Sequence, residues 1–142
     1  MRTLEVEALH DARTATNDVL EGYGELAERA EPEIQSVIHR LKGMHERHAV
    51  ELDAELQRIR DARQDDTSFQ GTVNKAVVVV RDWVSDMDRD VLPAVRQGEE
   101  ALRDKYKQSL GKLQESEPSP VFALLQKQCH SIGEEIMRLP KN

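Results

Sequence analysis

The chain has one cysteine, Cys129. An internal disulfide needs two, so nothing in the fold rests on one. Aromatic residues are scarce at 4%. Strands draw heavily on aromatic and β-branched side chains, so a sandwich or barrel is disfavoured. Seven Gly and five Pro are too few for the frequent turns of an all-β fold. The longest apolar run, AVVVV at 76–80, is far short of the ~20 residues that span a bilayer. The first residues, MRTLEVEALHDAR, lack the apolar centre of a signal peptide, so a cytoplasmic location is expected. Positive charge is in deficit: 20 Lys and Arg against 27 Asp and Glu give a net charge of −7. Such a surface repels phosphate backbones and anionic lipid, which argues against nucleic acid and membrane as partners. The most basic stretch, RDKYKQSLGK at 103–112, reads as the solvated face of a helix. No phosphate-binding Gly loop, nucleophile elbow or zinc-finger spacing occurs, and no catalytic residue is assigned.

What the chain does have is charge, 33% of its 142 residues, laid over helical periodicity. Its length predicts one domain, residues 1–142, large enough to bury a core. A first helix from about Leu4 to Ala30 carries the stripe Leu9, Ala12, Thr16, Val19/Leu20, Tyr23, Leu26/Ala27, Ala30, at the three-four spacing of a buried face. Pro32 suits the first turn of a second helix, where no N–H donor is needed. That helix reads Ile34, Ile38, Leu41, His45, His48, Leu52, Leu56, Ile59. So short a connection makes the pair an antiparallel hairpin, 4–60.

Residues 61–87 form a connection. Its polar start is followed by Val73, Val77, Val80, Val84 and Met87. The valines would suit a strand, but the continuing period and helical neighbours favour a short extra helix. A second hairpin, 88–139, follows. Its first helix carries Leu92, Val95, Glu99, Leu102, Tyr106, Leu110, Leu113. Ser119 is the expected N-cap of its second helix and Pro120 that helix's first residue. The stripe there is Phe122, Leu125, Cys129, Ile132, Ile136, Leu139, and Pro140 stops it. At ~1.5 Å per helical residue, the connection is long enough to recross the bundle. The expected fold is all-α: two antiparallel hairpins joined by a long crossover.

The halves also match each other. An offset of 83 places Leu9 on Leu92, Ala12 on Val95, Thr16 on Glu99 and Tyr23 on Tyr106. An offset of 84 places Ile38 on Phe122, Leu41 on Leu125, His45 on Cys129, His48 on Ile132 and Leu52 on Ile136. Two similar hairpins packed together are what such a repeat implies.

Glu99 followed seven residues later by Tyr106 resembles the Glu-x6-Tyr pattern of ferritin-like carboxylate proteins. The tight first hairpin and the stretch DVLPAVRQGEEALRDKYKQSL look most like a small bacterial branch of ferritin-like four-helix bundles with no assigned function. The resemblance implies a Glu from the first helix of each hairpin and a Glu-x-x-His from the second, together holding two iron or manganese ions. In this chain Glu99 matches, while Thr16 holds the other carboxylate position. The Glu-x-x-His positions read His45-x-x-His48 in one hairpin, with Cys129 and Ile132 in the other. An intact di-iron centre is not expected.

His45, His48 and Glu99 nevertheless fall on buried faces. A carboxylate in a bundle core costs several kcal/mol unless it is paired. One reading is a polar layer, with Glu99 accepting hydrogen bonds from the histidines and from Thr16 or a tyrosine hydroxyl, Tyr23 and Tyr106 being the tyrosines on the stripes. Another is one zinc or iron ion held by two His and a carboxylate. A third turns the helix slightly and leaves His45 partly exposed. His10, His39 and His130 sit beside the stripes and read as surface or boundary residues. The favoured function needs no cofactor: association with a second copy or a protein partner, for which residues 76–84 offer apolar surface in excess of one contact. Family analogy adds a stress-associated regulatory role.

Overall fold

The computed structural model describes residues 3–63, 91–113 and 119–141. They form four α-helices: α1 Thr3–Arg29, α2 Pro32–Arg63, α3 Val91–Leu113 and α4 Pro120–Arg138. Among the described residues there is no strand. The short helix expected within 61–87, apart from 61–63 at the end of α2, lies outside the described residues.

The turn between α1 and α2 is built by its own backbone. Ala30 N–H donates to the Leu26 carbonyl at 2.7 Å, and Ile34 N–H to the Glu31 carbonyl at 3.0 Å. Gln35 reaches back to the Ala30 carbonyl at 3.0 Å, which satisfies a group the helix end leaves without a partner. α4 opens as expected, with the Ser119 hydroxyl accepting from Phe122 N–H at 3.2 Å and Pro120 in the first turn.

Polar partners set the helix directions. Arg13 of α1 pairs with Asp53 of α2 at 2.7 and 3.1 Å, while Tyr23 stacks on His45, so α1 and α2 are antiparallel. Thr16 meets Tyr106 and Tyr23 meets Glu99, so α3 also runs against α1. Arg40–Glu135 and Glu51–Lys127 orient α4 against α2. α1 packs on α2 and α3, and α3 on α4.

Between them lies an apolar core of Leu9, Leu26, Ile34, Ile38, Leu41, Leu52, Val95, Leu125, Ile132 and Ile136, all essentially inaccessible. Each such side chain contributes ~1.5–3 kcal/mol by leaving water. On α4 the buried face differs from the expected stripe. Val121, Leu125, Gln128, Ile132 and Ile136 point inward, and Phe122 and Cys129 are only partly buried. The N-terminal half of α4 is rotated by one residue relative to the apolar stripe, because Gln128 finds polar partners inside the bundle: the Tyr106 hydroxyl, the His48 carbonyl and Glu51.

Arg96 of α3 closes the far end of α4. Its Nη1 donates to the Ile136 and Leu139 carbonyls at 2.7 and 2.6 Å, and its Nε to Glu100 at 3.1 Å. A cation at a helix C-terminus also complements the macrodipole. Arg96→Met keeps the aliphatic stem and loses both carbonyl contacts. It should destabilise the fold by ~1–3 kcal/mol, read as a lower denaturation midpoint with unchanged slope.

Candidate functional site

Thr16, Tyr23, His45, His48, Glu99 and Tyr106 are all buried. Periodicity explains this, since each occupies an inward position of its helix in a run otherwise filled by Leu, Ile, Val and Ala. They divide into two clusters.

The first cluster centres on Glu99 of α3. Its Oε2 accepts from the Tyr23 hydroxyl of α1 and from His45 Nε2 of α2 at 2.8 Å. With Glu99 ionised, the His45 proton sits on Nε2. Tyr23 also stacks on the His45 ring, centroids 5.8 Å apart and planes 18° apart. His48 stands edge-on to His45, with 5.9 Å between centroids and 82° between planes. His45 is fully buried, so a helix turned to expose it is not what forms. Glu99 Oε1, His45 Nδ1 and His48 Nδ1 are buried without hydrogen-bond partners.

The second cluster centres on Gln128 of α4, which sequence reasoning passed over. Its Oε1 accepts from the Tyr106 hydroxyl at 2.7 Å. Its Nε2 donates to the His48 carbonyl at 3.2 Å and to Glu51 Oε1 at 2.9 Å. Thr16 Oγ1 lies 3.5 Å from the Tyr106 hydroxyl. Thr16 therefore serves Tyr106 rather than Glu99. The offset of 84 set Cys129 against His45 and hid the glutamine one residue earlier.

Burial, the Glu99 charge and its hydrogen bond together hold the Tyr23 hydroxyl well above the usual phenol range. Burial does the same for Tyr106. Both tyrosines are neutral donors at any ordinary pH. Burial, followed by the neighbouring His45, pushes His48 down to about 4. Cys129 is half-buried, and burial raises its thiol, which opposes the thiolate that reactivity requires.

The two-ion set implied by the resemblance does not fit these residues. Thr16, Cys129 and Ile132 offer no carboxylate or imidazole where three are needed. Among the described residues no three His, Cys, Asp or Glu side chains form a group able to hold a metal ion. His10 is at the boundary, while His39 and His130 are exposed.

Among the described residues, fold and clusters define four α-helices with a hydrogen-bonded polar layer through their core. No described helix is long and apolar enough to cross a membrane. A family model described as a domain of unknown function, DUF2383, matches residues 5–112, and the chain belongs to that family. No curated protein and no solved structure matches it.

The neutral His48 ties stability to pH. The folded chain binds this proton less readily than the unfolded chain, whose histidine titrates near 6.5. Its contribution is whole above pH 6.5 and is lost progressively as pH falls toward about 4. Thermal melts between pH 7 and 4 should show that decline, and His48→Leu should flatten it.

Proposed function

We propose that this chain is a ferritin-like bundle that works by association, with a second copy or a protein partner, and not by catalysis. The observation that carries the reading is the engagement of Glu99. The one matching family carboxylate is held by Tyr23 and His45 in internal hydrogen bonds, in an inaccessible core. A group so placed serves the fold rather than a substrate.

The ferritin-like arrangement draws support from helix direction. α2 and α3 both run against α1, so Arg63 and Val91 face opposite ends of the bundle. A connection of 64–90 between opposite ends is what two hairpins with a long crossover require. The motive for association lies in 76–84, AVVVVRDWV, outside the described residues. Among the described ones, the exposed large apolar side chains Leu4, Val50 and Met137 fall on three different helices.

A second reading has one observation in its favour. The unpartnered Glu99 Oε1, His45 Nδ1 and His48 Nδ1 are the atom types that take one zinc or iron ion. Against it, His45 and Glu99 are already bonded to each other, and binding would require that pair to open.

Light scattering of the full chain across the micromolar range tests the association reading. A mass of two chains is expected, reduced to one by Val78→Asp with Val80→Asp. A monomer at every concentration, with no change on these substitutions, would remove self-association. Added zinc should leave the melting temperature unmoved. A bound ion would instead stabilise by ~2.7 kcal/mol at a hundredfold excess over Kd.

A further inference from the structure

The helices pack broadly in an open series: α2 on α1, α1 on α3, and α3 on α4. The edge between α2 and α4 would close the ring, and there the backbones make only slight contact. Polar side chains bridge it instead. Toward the C-terminal end of α4, Arg40 holds Glu135 at 3.0 Å. Nearer the N-terminal end the bridge is Gln128, whose Nε2 donates to the His48 carbonyl at 3.2 Å and to Glu51 at 2.9 Å. Lys127 adds a looser contact to Glu51 at 3.6 Å, with its own side chain 69% exposed, and a pair so exposed contributes little. One carboxamide therefore supplies most of the polar fastening between this half of α4 and α2.

The Glu99 cluster lies behind that carboxamide. Gln128 grips the carbonyl of His48, the His48 ring stands edge-on to His45, and His45 bonds Glu99. His48 is 6% exposed, whereas Tyr23, His45 and Glu99 are inaccessible. Water therefore comes closest to the cluster beside Gln128. Opening this edge is also partly offset. Glu99 Oε1, His45 Nδ1 and His48 Nδ1 are buried without partners, and admitted water would supply the hydrogen bonds they lack. We infer that the edge between α2 and the N-terminal half of α4 is the gate through which water reaches the buried cluster, with Gln128 as its latch. The gate opens by local motion of α4 against α2 while α1, α2 and α3 stay packed. It operates whether or not the chain associates, so it stands apart from the association reading.

Exchange of the His45 Nε2 proton with solvent, followed by NMR on the full chain at rising but sub-denaturing urea, tests this. In the parent the proton should exchange through an opening whose urea slope is well below that of global unfolding, because little surface is exposed. Gln128→Met keeps the bulk of the side chain and loses both donors to α2. It should speed exchange about tenfold beyond what its loss of global stability accounts for, the effect of one or two hydrogen bonds on an opening equilibrium. Tyr106→Phe is the control. It breaks the Tyr106–Gln128 bond but leaves the donors to α2, and should speed exchange only as far as global stability falls. Glu51→Ala changes a partly exposed side chain and decides the matter if Gln128→Met does not fold. It should speed exchange severalfold with the melting temperature nearly unmoved. Exchange in the parent with the full urea slope of global unfolding would overturn the gate. So would latch variants that speed exchange no more than their loss of global stability requires.

Discussion

The Glu99 carboxylate is the constraint around which the core is arranged. An ionised group without water costs several kcal/mol unless donors replace its hydration. Here the donors come from two other helices, Tyr23 of α1 and His45 of α2. Slipping α3 by one turn against either neighbour would strand the charge. Apolar side chains can repack with little loss, whereas a buried carboxylate accepts few arrangements. The pair therefore sets register where leucines and isoleucines alone would leave alternatives. Burial and the same bond keep Tyr23 protonated, with its ring nearly parallel to the imidazole.

On the other side of the core the problem is solved without charge. Tyr106, Gln128 and Thr16 satisfy one another, and the remaining amide donors of Gln128 fasten α4 to α2. α4 leans on such specific contacts, since its broad packing is against α3 alone. Arg96 adds a second fastening at the C-terminal end of that helix. The layer is not fully satisfied, however. Glu99 Oε1 and one nitrogen on each histidine lack partners, and each such group costs ~1–3 kcal/mol. His48 is the side chain where that tension is expressed as pH sensitivity.

Most of the helical layout was legible in the sequence. Strict three-four spacing, Pro32, the Ser119–Pro120 start and the stop at Pro140 are local signals, and each has a direct physical cause. Burial of Glu99, His45 and Thr16 was legible as well, because each interrupts an apolar stripe without shifting its phase. The failures were of another kind. Gln128 was missed because the α4 stripe can be drawn through Cys129 with equally regular spacing, and hydrophobicity favours the cysteine. Only the polar partners on α2 and α3 make the glutamine the better inward residue, and those are long-range facts. Which acceptor each tyrosine chooses was also out of reach, since stripe spacing places side chains at a depth but does not pair them.

All of this requires that Glu99 and His45 be bonded to each other in the metal-free protein. Long-range proton–nitrogen correlation spectra of the histidine rings, recorded near neutral pH in the presence of a chelator, test it most directly. His45 should carry its proton on Nε2, shifted downfield and protected from exchange, and Glu99→Leu should remove that signal. A His45 Nε2 without a proton, or a ring whose signals sharpen only when zinc or iron replaces the chelator, would contradict it.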